Sequence, residues 1–158
     1  MKFFIKKMLS QESGYSGGKP NQRGSYISIP KKAWFYFPTF KDKILNPKEY
    51  VTFKINEFEY FTLEFVWHNS LLISENFSEK KNKNNERRIY TSKEFKSSTL
   101  IDKCSFLVLE KNENSSSTYN LKVINKSDLK YNEMSDIFQK NYSGNDSFFL
   151  SDELKILD

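Results

Sequence analysis

The chain has 158 residues, of which 16% are aromatic, and a net charge of +5, and its length suits one domain with a sizeable core. Its single cysteine, Cys104, excludes an internal disulfide and any metal site that needs several cysteines, and it favours a reducing, cytoplasmic location. No apolar run is long enough to span a membrane, and Lys6 and Lys7 interrupt the apolar opening patch, so we expect neither a signal peptide nor a membrane partner.

The first predicted strand spans residues 3–9, and the second spans residues 25–29, where polar and apolar residues alternate until Pro30. Between these strands lies a glycine-rich segment, which belongs to a longer stretch, residues 9–30, that contains four of the five glycines. A short helix is predicted over residues 31–37. The 15 Phe and 9 Tyr, against a single Ala, favour strands over helices in the chain as a whole.

Further strands are predicted in the middle of the chain. Residues 51–55 and 60–67 alternate as the two strands of a hairpin would. Residues 105–110 form a continuous apolar run, typical of a central strand, and residues 119–124 alternate again. Residues 78–85 contain no apolar side chain, so an exposed loop is predicted there.

The last part of the chain has a different pattern. Five apolar residues recur at roughly helical spacing and predict one helix: Leu129, Met134, Ile137, Phe138 and Tyr142. In total the sequence predicts seven or eight short strands and two or three small helices, which is typical of a closed or nearly closed β-barrel. We therefore predict a mainly β domain over residues 1–126, followed by a helical extension or linker over residues 127–158.

The positive charge is concentrated in two separated segments. Residues 1–32 hold seven Lys or Arg and one acidic residue, and residues 80–103 hold eight Lys or Arg and three acidic residues. If both segments fold onto one face, they form a basic cleft suited to a polyanion. The alternative is that Lys-rich loops only keep a Phe-rich protein soluble.

Side chains that bond phosphates and base edges accompany this charge. Arg and Lys pair with guanine or phosphate, Asn and Gln pair with adenine, and Glu accepts a hydrogen bond from cytosine. Glycine lets the backbone approach a ligand closely. This composition favours binding to double-stranded DNA over solubility alone. The candidate DNA-binding residues are Ser10, Lys19, Asn21, Gln22, Arg23 and Tyr26 in the first segment, and Lys83, Asn84, Asn85, Glu86, Arg87 and Arg88 in the second.

Two other functions remain open. Asp146, Glu153 and Lys155 are similar to the Asp…Glu-x-Lys signature of Mg²⁺-dependent nucleases, in which two carboxylates hold the metal near a lysine. A single-strand or RNA binder would instead stack bases on exposed aromatic side chains. The only histidine, His68, has no Cys or other His with which to build a zinc site. We expect no catalytic residue, metal or cofactor in this chain, although its status as an enzyme stays open.

Across residues 6–111 the chain resembles the amino-terminal DNA-binding domain of EcoRII-like restriction endonucleases. Each matching piece is short, but the pieces occur in the order of the family. They are Leu9-Ser10, Gly14, Gly17-Gly18, Gly24-x-Tyr26, Ile29-Pro30, Phe37-Pro38, Leu45-Asn46-Pro47, Asn69-Ser70, Glu86-Arg87-Arg88-Ile89 and the strand over residues 105–110.

The resemblance implies a seven-stranded DNA-binding pseudobarrel, the fold also found in plant transcription factors, that grips the major groove with two arms. The first arm would be residues 9–26, with Lys19 and Tyr26 at DNA-contacting positions. The second arm would be residues 82–90, with its contacts over residues 86–88. The chain would then be the recognition or effector-binding domain of a type II restriction endonuclease, non-catalytic by itself, with a nuclease domain or subunit as a further partner.

The chain also departs from the family in both arms. The first arm is two residues longer between Gly18 and Gly24, and the second has Asn82 and Asn84 where the family has basic residues. The loop over residues 72–85 is longer as well. These changes fall on the base-reading positions, so the recognised DNA sequence is expected to differ.

Overall fold

The computed structural model describes residues 1–13, 26–41, 43–69, 85–142 and 147–157, together with the backbone of residues 15–16 and 19–20. Its strands are β1 (Phe3–Lys7), β2 (Tyr15–Ser16), β3 (Lys19–Pro20), β4 (Tyr26–Ile29), β5 (Lys48–Lys54), β6 (Tyr60–His68), β7 (Glu86–Tyr90), β8 (Phe106–Lys111), β9 (Thr118–Ile124) and β10 (Phe148–Ser151). Eight of them form one sheet in the order β10-β1-β8-β9-β5-β6-β7-β4, while β2 and β3 pair with each other.

Short helices connect the strands. The described residues contain two α-helices, α1 (Lys93–Thr99) and α2 (Tyr131–Asn141), and two 3-10 helices, Lys31–Tyr36 and Lys155–Leu157. Ser92 is the N-cap of helix α1, and its hydroxyl accepts a hydrogen bond from the amide of Phe95 at 3.1 Å. The predicted mainly β fold with a few short helices is confirmed. The main sheet has eight strands among the described residues, instead of the seven that the resemblance to the EcoRII-like family implies.

The sheet curls around an aromatic core. In a flat sheet β1 and β6, which are separated by three strands, would lie roughly 19 Å apart. The ring of Phe37 nevertheless contacts Phe4 on β1 and Phe65 on β6, with centroid distances of 5.2 and 5.7 Å. One side chain can contact both strands only if the sheet is strongly bent, so the architecture is that of a pseudobarrel.

A second core lies on the outer side of β1. Phe3 and Ile5 point away from the barrel interior and are buried together with Met134 and Phe138 of α2. Strand β10 pairs antiparallel with β1. The predicted helix is therefore present and packs on the sheet. The domain boundary placed at residue 126 stays a prediction.

The other half of the sheet has outer-facing side chains that are open to solvent. Tyr50 on β5 is 54% exposed, and Tyr60 on β6 is 62% exposed. No helix within the described ranges is both long enough and apolar enough to cross a membrane.

Candidate nucleic-acid interface

Strand β7 separates the predicted contact residues by the side of the sheet on which they lie. Side chains alternate along a strand, so Glu86, Arg88 and Tyr90 share one face while Arg87 and Ile89 share the other. Ile89 is completely buried in the barrel core, which identifies its face as the inner one. The run of residues 86–88 therefore contributes to two different surfaces.

Neighbouring strands add two residues to the outer face of β7. Tyr26 on β4 lies opposite Tyr90, and His68 on β6 lies opposite Glu86. With Arg88, these residues form what we call the outer cluster: Tyr26, His68, Glu86, Arg88 and Tyr90. Tyr26 from the first basic segment thus lies on one face with Glu86, Arg88 and Tyr90 from the second; a basic cleft formed by the two segments stays a prediction.

Arg88 is held in place from two directions. Its Nε and Nη2 donate to Oε2 of Glu86, at 2.9 and 2.8 Å, and its guanidinium carbon lies 4.2 Å from the ring centroid of Tyr26. Partial burial opposes the charge of Arg88, but its hydrogen bonds with Glu86 and Tyr90 outweigh burial and raise its pKa. The guanidinium is therefore charged and oriented before any ligand arrives.

His68 completes the outer cluster on the β6 side. Its Nε2 and the hydroxyl of Tyr90 share a hydrogen bond of 2.8 Å. Burial, and secondly the positive charge of Arg88, lower the pKa of His68, while Glu86 opposes this shift. This shift favours the neutral form of His68, which acts as a hydrogen-bonding partner within the cluster.

Arg87 lies on the inner side, at the rim of the barrel, surrounded by aromatic rings. Its guanidinium carbon is 4.0 Å from the ring centroid of Trp34, 4.7 Å from that of Trp67 and 5.0 Å from that of Phe40. Its Nε is buried and has no hydrogen-bond partner among the described residues. Burial lowers the pKa of Arg87. The surroundings of Arg87 are thus those of a packed side chain.

The remaining candidates are only partly described. Asn85 precedes β7, and its Oδ1 accepts a hydrogen bond from Nε1 of Trp67 at 3.0 Å. Ser10 is exposed in the turn that follows β1, and its carbonyl accepts from the hydroxyl of Ser13 at 2.7 Å. The backbone of Lys19 pairs with that of Ser16. The other predicted positions lie outside the described residues: Asn21, Gln22, Arg23, Lys83 and Asn84.

Of the alternative nuclease triad, Glu153 and Lys155 are exposed near the second 3-10 helix, and Asp146 lies outside the described residues. In the part of the chain that the structure describes, no three His, Cys, Asp or Glu side chains are grouped as a metal site.

Sequence reasoning included Glu86 and Tyr26, which hold Arg88, but missed Tyr90 and the three rings around Arg87. Tyr90 could have been found, because it lies two residues after Arg88 on a predicted ordered segment and so shares its face. Trp34 and Phe40 belong to other segments, and no local sequence pattern connects them with Arg87.

No protein-family model matches this chain, and neither does any curated protein. Its fold is similar to that of the N-terminal domain of Helicobacter pylori LlaJI.R1, with a TM-score of 0.57, 16% identity, and coverage of 97% of this chain and 100% of that one. It is also similar to the B3 domain of the UbaLAI restriction endonuclease, solved with cognate DNA, with a TM-score of 0.51, 14% identity, and coverage of 92% and 83%. The chain therefore shares the fold of these two domains, which confirms the pseudobarrel fold implied by its resemblance to the EcoRII-like family.

Proposed function

We propose that this chain binds double-stranded DNA sequence-specifically through the outer cluster and the two arms. It would serve as the recognition or effector-binding domain of a restriction endonuclease and be non-catalytic by itself. The observation that carries the proposal is Arg88, fixed by Glu86 and Tyr26 on an outer face, in a fold shared with a domain solved on its cognate DNA.

The geometry of β7 suits the major groove. The chain enters β4 at Tyr26 and β7 at Glu86, and the antiparallel register puts these two points at opposite ends of the strand pair. A five-residue strand spans about 13 Å, close to the width of about 12 Å of the major groove of B-DNA. The two arms would therefore meet the groove on either side of Arg88.

The chemistry of the outer cluster suits base reading. Glu86 and Tyr90 accept from only part of the guanidinium of Arg88, which has five N–H donors, so donors are left for a ligand. A guanidinium already ordered by a carboxylate and an aromatic ring loses little side-chain entropy when it binds guanine or phosphate. Tyr26 supplies the ring, so each of the two basic segments contributes one member of the pair.

Selection from a pool of randomised duplexes, followed by gel-shift titration of the enriched duplex, tests the proposal. Arg88→Met should weaken binding of the enriched duplex by about 1–3 kcal/mol, which is roughly 5- to 150-fold. Lys122→Met is the matched control, since it removes one positive charge from an exposed position on β9, away from the outer cluster. Equal effects of the two variants would show that only net charge matters.

The non-catalytic role has its own test. We expect the chain to leave duplex DNA intact in the presence of Mg²⁺, with cleavage supplied by a nuclease domain or subunit. Cleavage by the purified chain that Glu153→Ala abolishes would favour the small metal-dependent nuclease instead. Preference for single-stranded over duplex probes in the same titrations would favour the single-strand or RNA binder.

A further inference from the structure

A buried ion pair lies where the first arm leaves the barrel. Lys6 on β1 and Glu12 in the following turn approach to 3.3 Å between Nζ and Oε1, and their side chains are only 2% and 1% exposed. Such a pair is stabilising only if further hydrogen bonds satisfy both charges, because removing two charges from water is costly. The groups that hydrogen-bond to Lys6 and Glu12 therefore indicate what the pair does in the fold.

Both charges are satisfied by groups from different parts of the chain. Oε1 of Glu12 accepts from the amide of Leu9 at 3.1 Å, and Oε2 accepts from the amide of Ser28 at 2.9 Å. Nζ of Lys6 donates to the hydroxyl of Ser147 at 3.0 Å. One carboxylate thus binds the first residue of the first arm and a residue on the strand that follows this arm.

These bonds also bridge the open side of the pseudobarrel. In the sheet, β1 and β4 are separated by five strands, and β4 is an edge strand. Ser28, on β4, donates its amide to Glu12. Ser147, next to β10 at the other edge, is bound by Lys6. The Lys6–Glu12 pair therefore connects the two edges of the sheet at the base of the first arm.

We propose that the Lys6–Glu12 pair is a positioning device that fixes both ends of the first arm relative to the outer cluster. A well-packed apolar pair would close the barrel equally well. Only an acceptor such as a carboxylate can hold the amides of Leu9 and Ser28 at the same time. Neither residue needs to touch DNA. The inference rests on the proposed DNA-binding function of the arm.

Two double variants of the full chain test this inference. Lys6→Met with Glu12→Leu removes both charges and the acceptor, whereas Lys6→Met with Glu12→Gln retains one amide oxygen for the backbone N–H groups. Removing two buried charges is often neutral or stabilising, but it leaves two backbone N–H groups without an acceptor, so we expect the leucine variant to unfold at a somewhat lower urea concentration than the wild type and to be folded without urea. It should nevertheless bind the duplex enriched by the wild type about tenfold more weakly, because the arm is no longer pre-organised. The affinity of the glutamine variant for this duplex should lie between those of the wild type and the leucine variant.

Hydrogen exchange gives a second readout that needs no DNA. Loss of the acceptor should accelerate exchange of the Leu9 and Ser28 amides in the leucine variant more than in the glutamine variant, while the Ile89 amide stays protected. Wild-type affinity in a folded leucine variant, or a loss of affinity no larger than its unfolded fraction, overturns the inference. Unchanged exchange rates of the Leu9 and Ser28 amides in the leucine variant also overturn it. A wild-type chain that enriches no duplex refutes the proposed function instead, and the exchange data then decide whether the pair anchors the arm.

Discussion

Arg87 and Arg88 are adjacent in sequence, and their surroundings predict different responses to the same substitution. A partly desolvated guanidinium over an aromatic face contributes about 1–2 kcal/mol, and Arg87 lies 4.0 Å from the ring centroid of Trp34. Its buried Nε has no partner among the described residues, which costs about 1–3 kcal/mol. These opposing contributions are similar in size. Arg87→Met fills nearly the same space without a hydrogen-bond requirement, so it should change the free energy of unfolding by less than about 1 kcal/mol.

Arg87→Ala should behave differently, because it also removes the side-chain stem that fills the space between three rings. Leaving this space empty should lower the free energy of unfolding by about 2–3 kcal/mol. Urea unfolding followed by tryptophan fluorescence is a direct assay. Trp34 and Trp67 are the only tryptophans of the chain, and both contact Arg87. The fluorescence therefore reports on the rim of the barrel itself.

DNA binding by the methionine variants separates the two arginines. Arg87→Met should bind the enriched duplex within about threefold of the wild type, which is less than 1 kcal/mol, whereas Arg88→Met should show the larger loss given above. The reasoning is refuted if Arg87→Met unfolds at the wild-type urea concentration and yet loses as much affinity as Arg88→Met. Arg87 would then contact DNA directly, and the assignment of the two arginines to different functions by strand face would be wrong.

Three further predictions concern the outer cluster and the core. Tyr26→Leu removes the ring beneath Arg88 and should weaken duplex binding by about 1 kcal/mol in gel-shift titration; an unchanged affinity would mean that the ring does not orient the guanidinium. Burial and Arg88 lower the pKa of His68, so urea titrations should show wild-type stability falling as pH drops below the unfolded pKa of about 6.5, and this fall should be absent in His68→Gln. Tyr119→Phe deletes a buried hydroxyl that donates to the carbonyl of Tyr36 at 3.1 Å and should lower the free energy of unfolding by about 1 kcal/mol, measured in the same way.

Elements with a local pattern could be predicted from the sequence. Helix α2 follows from the spacing of Met134 and Phe138, both of which are buried. Leu129 fits the same spacing but is fully exposed, because it precedes the first residue of the helix. Strand β10 was not predicted, because its four residues form a strand only where β1 offers an edge. That pairing joins residues about 145 positions apart, and no local window contains it.

In the candidate site, too, local features could be predicted from the sequence, whereas contacts between distant segments could not. Charge and residue type led to the run of residues 86–88, but the sequence analysis treated all three as contacts. The strand in the structure separates Arg87 from its two neighbours. The sequence could not show which side chains of other segments pack against each face of β7. The rings around Arg87 come from the first 3-10 helix, from the segment after it and from β6, so only the folded chain brings them together. The same holds for Glu12, whose partner Ser28 lies beyond the whole first arm.

In the proposed function, the strands and the arms have different roles. The spacing between the two points where the arms join the sheet is set by the length and register of β4 and β7, with Tyr26 opposite Tyr90. Residues added within an arm change its reach but leave these points in place. In the proposed complex with DNA, the two residues added before Gly24 would change which bases are read but not the distance between these two points. Under the proposed function, this fold could keep one docking geometry while the recognised DNA sequence diverges; the fold itself is shared with two solved domains at 14% to 16% identity.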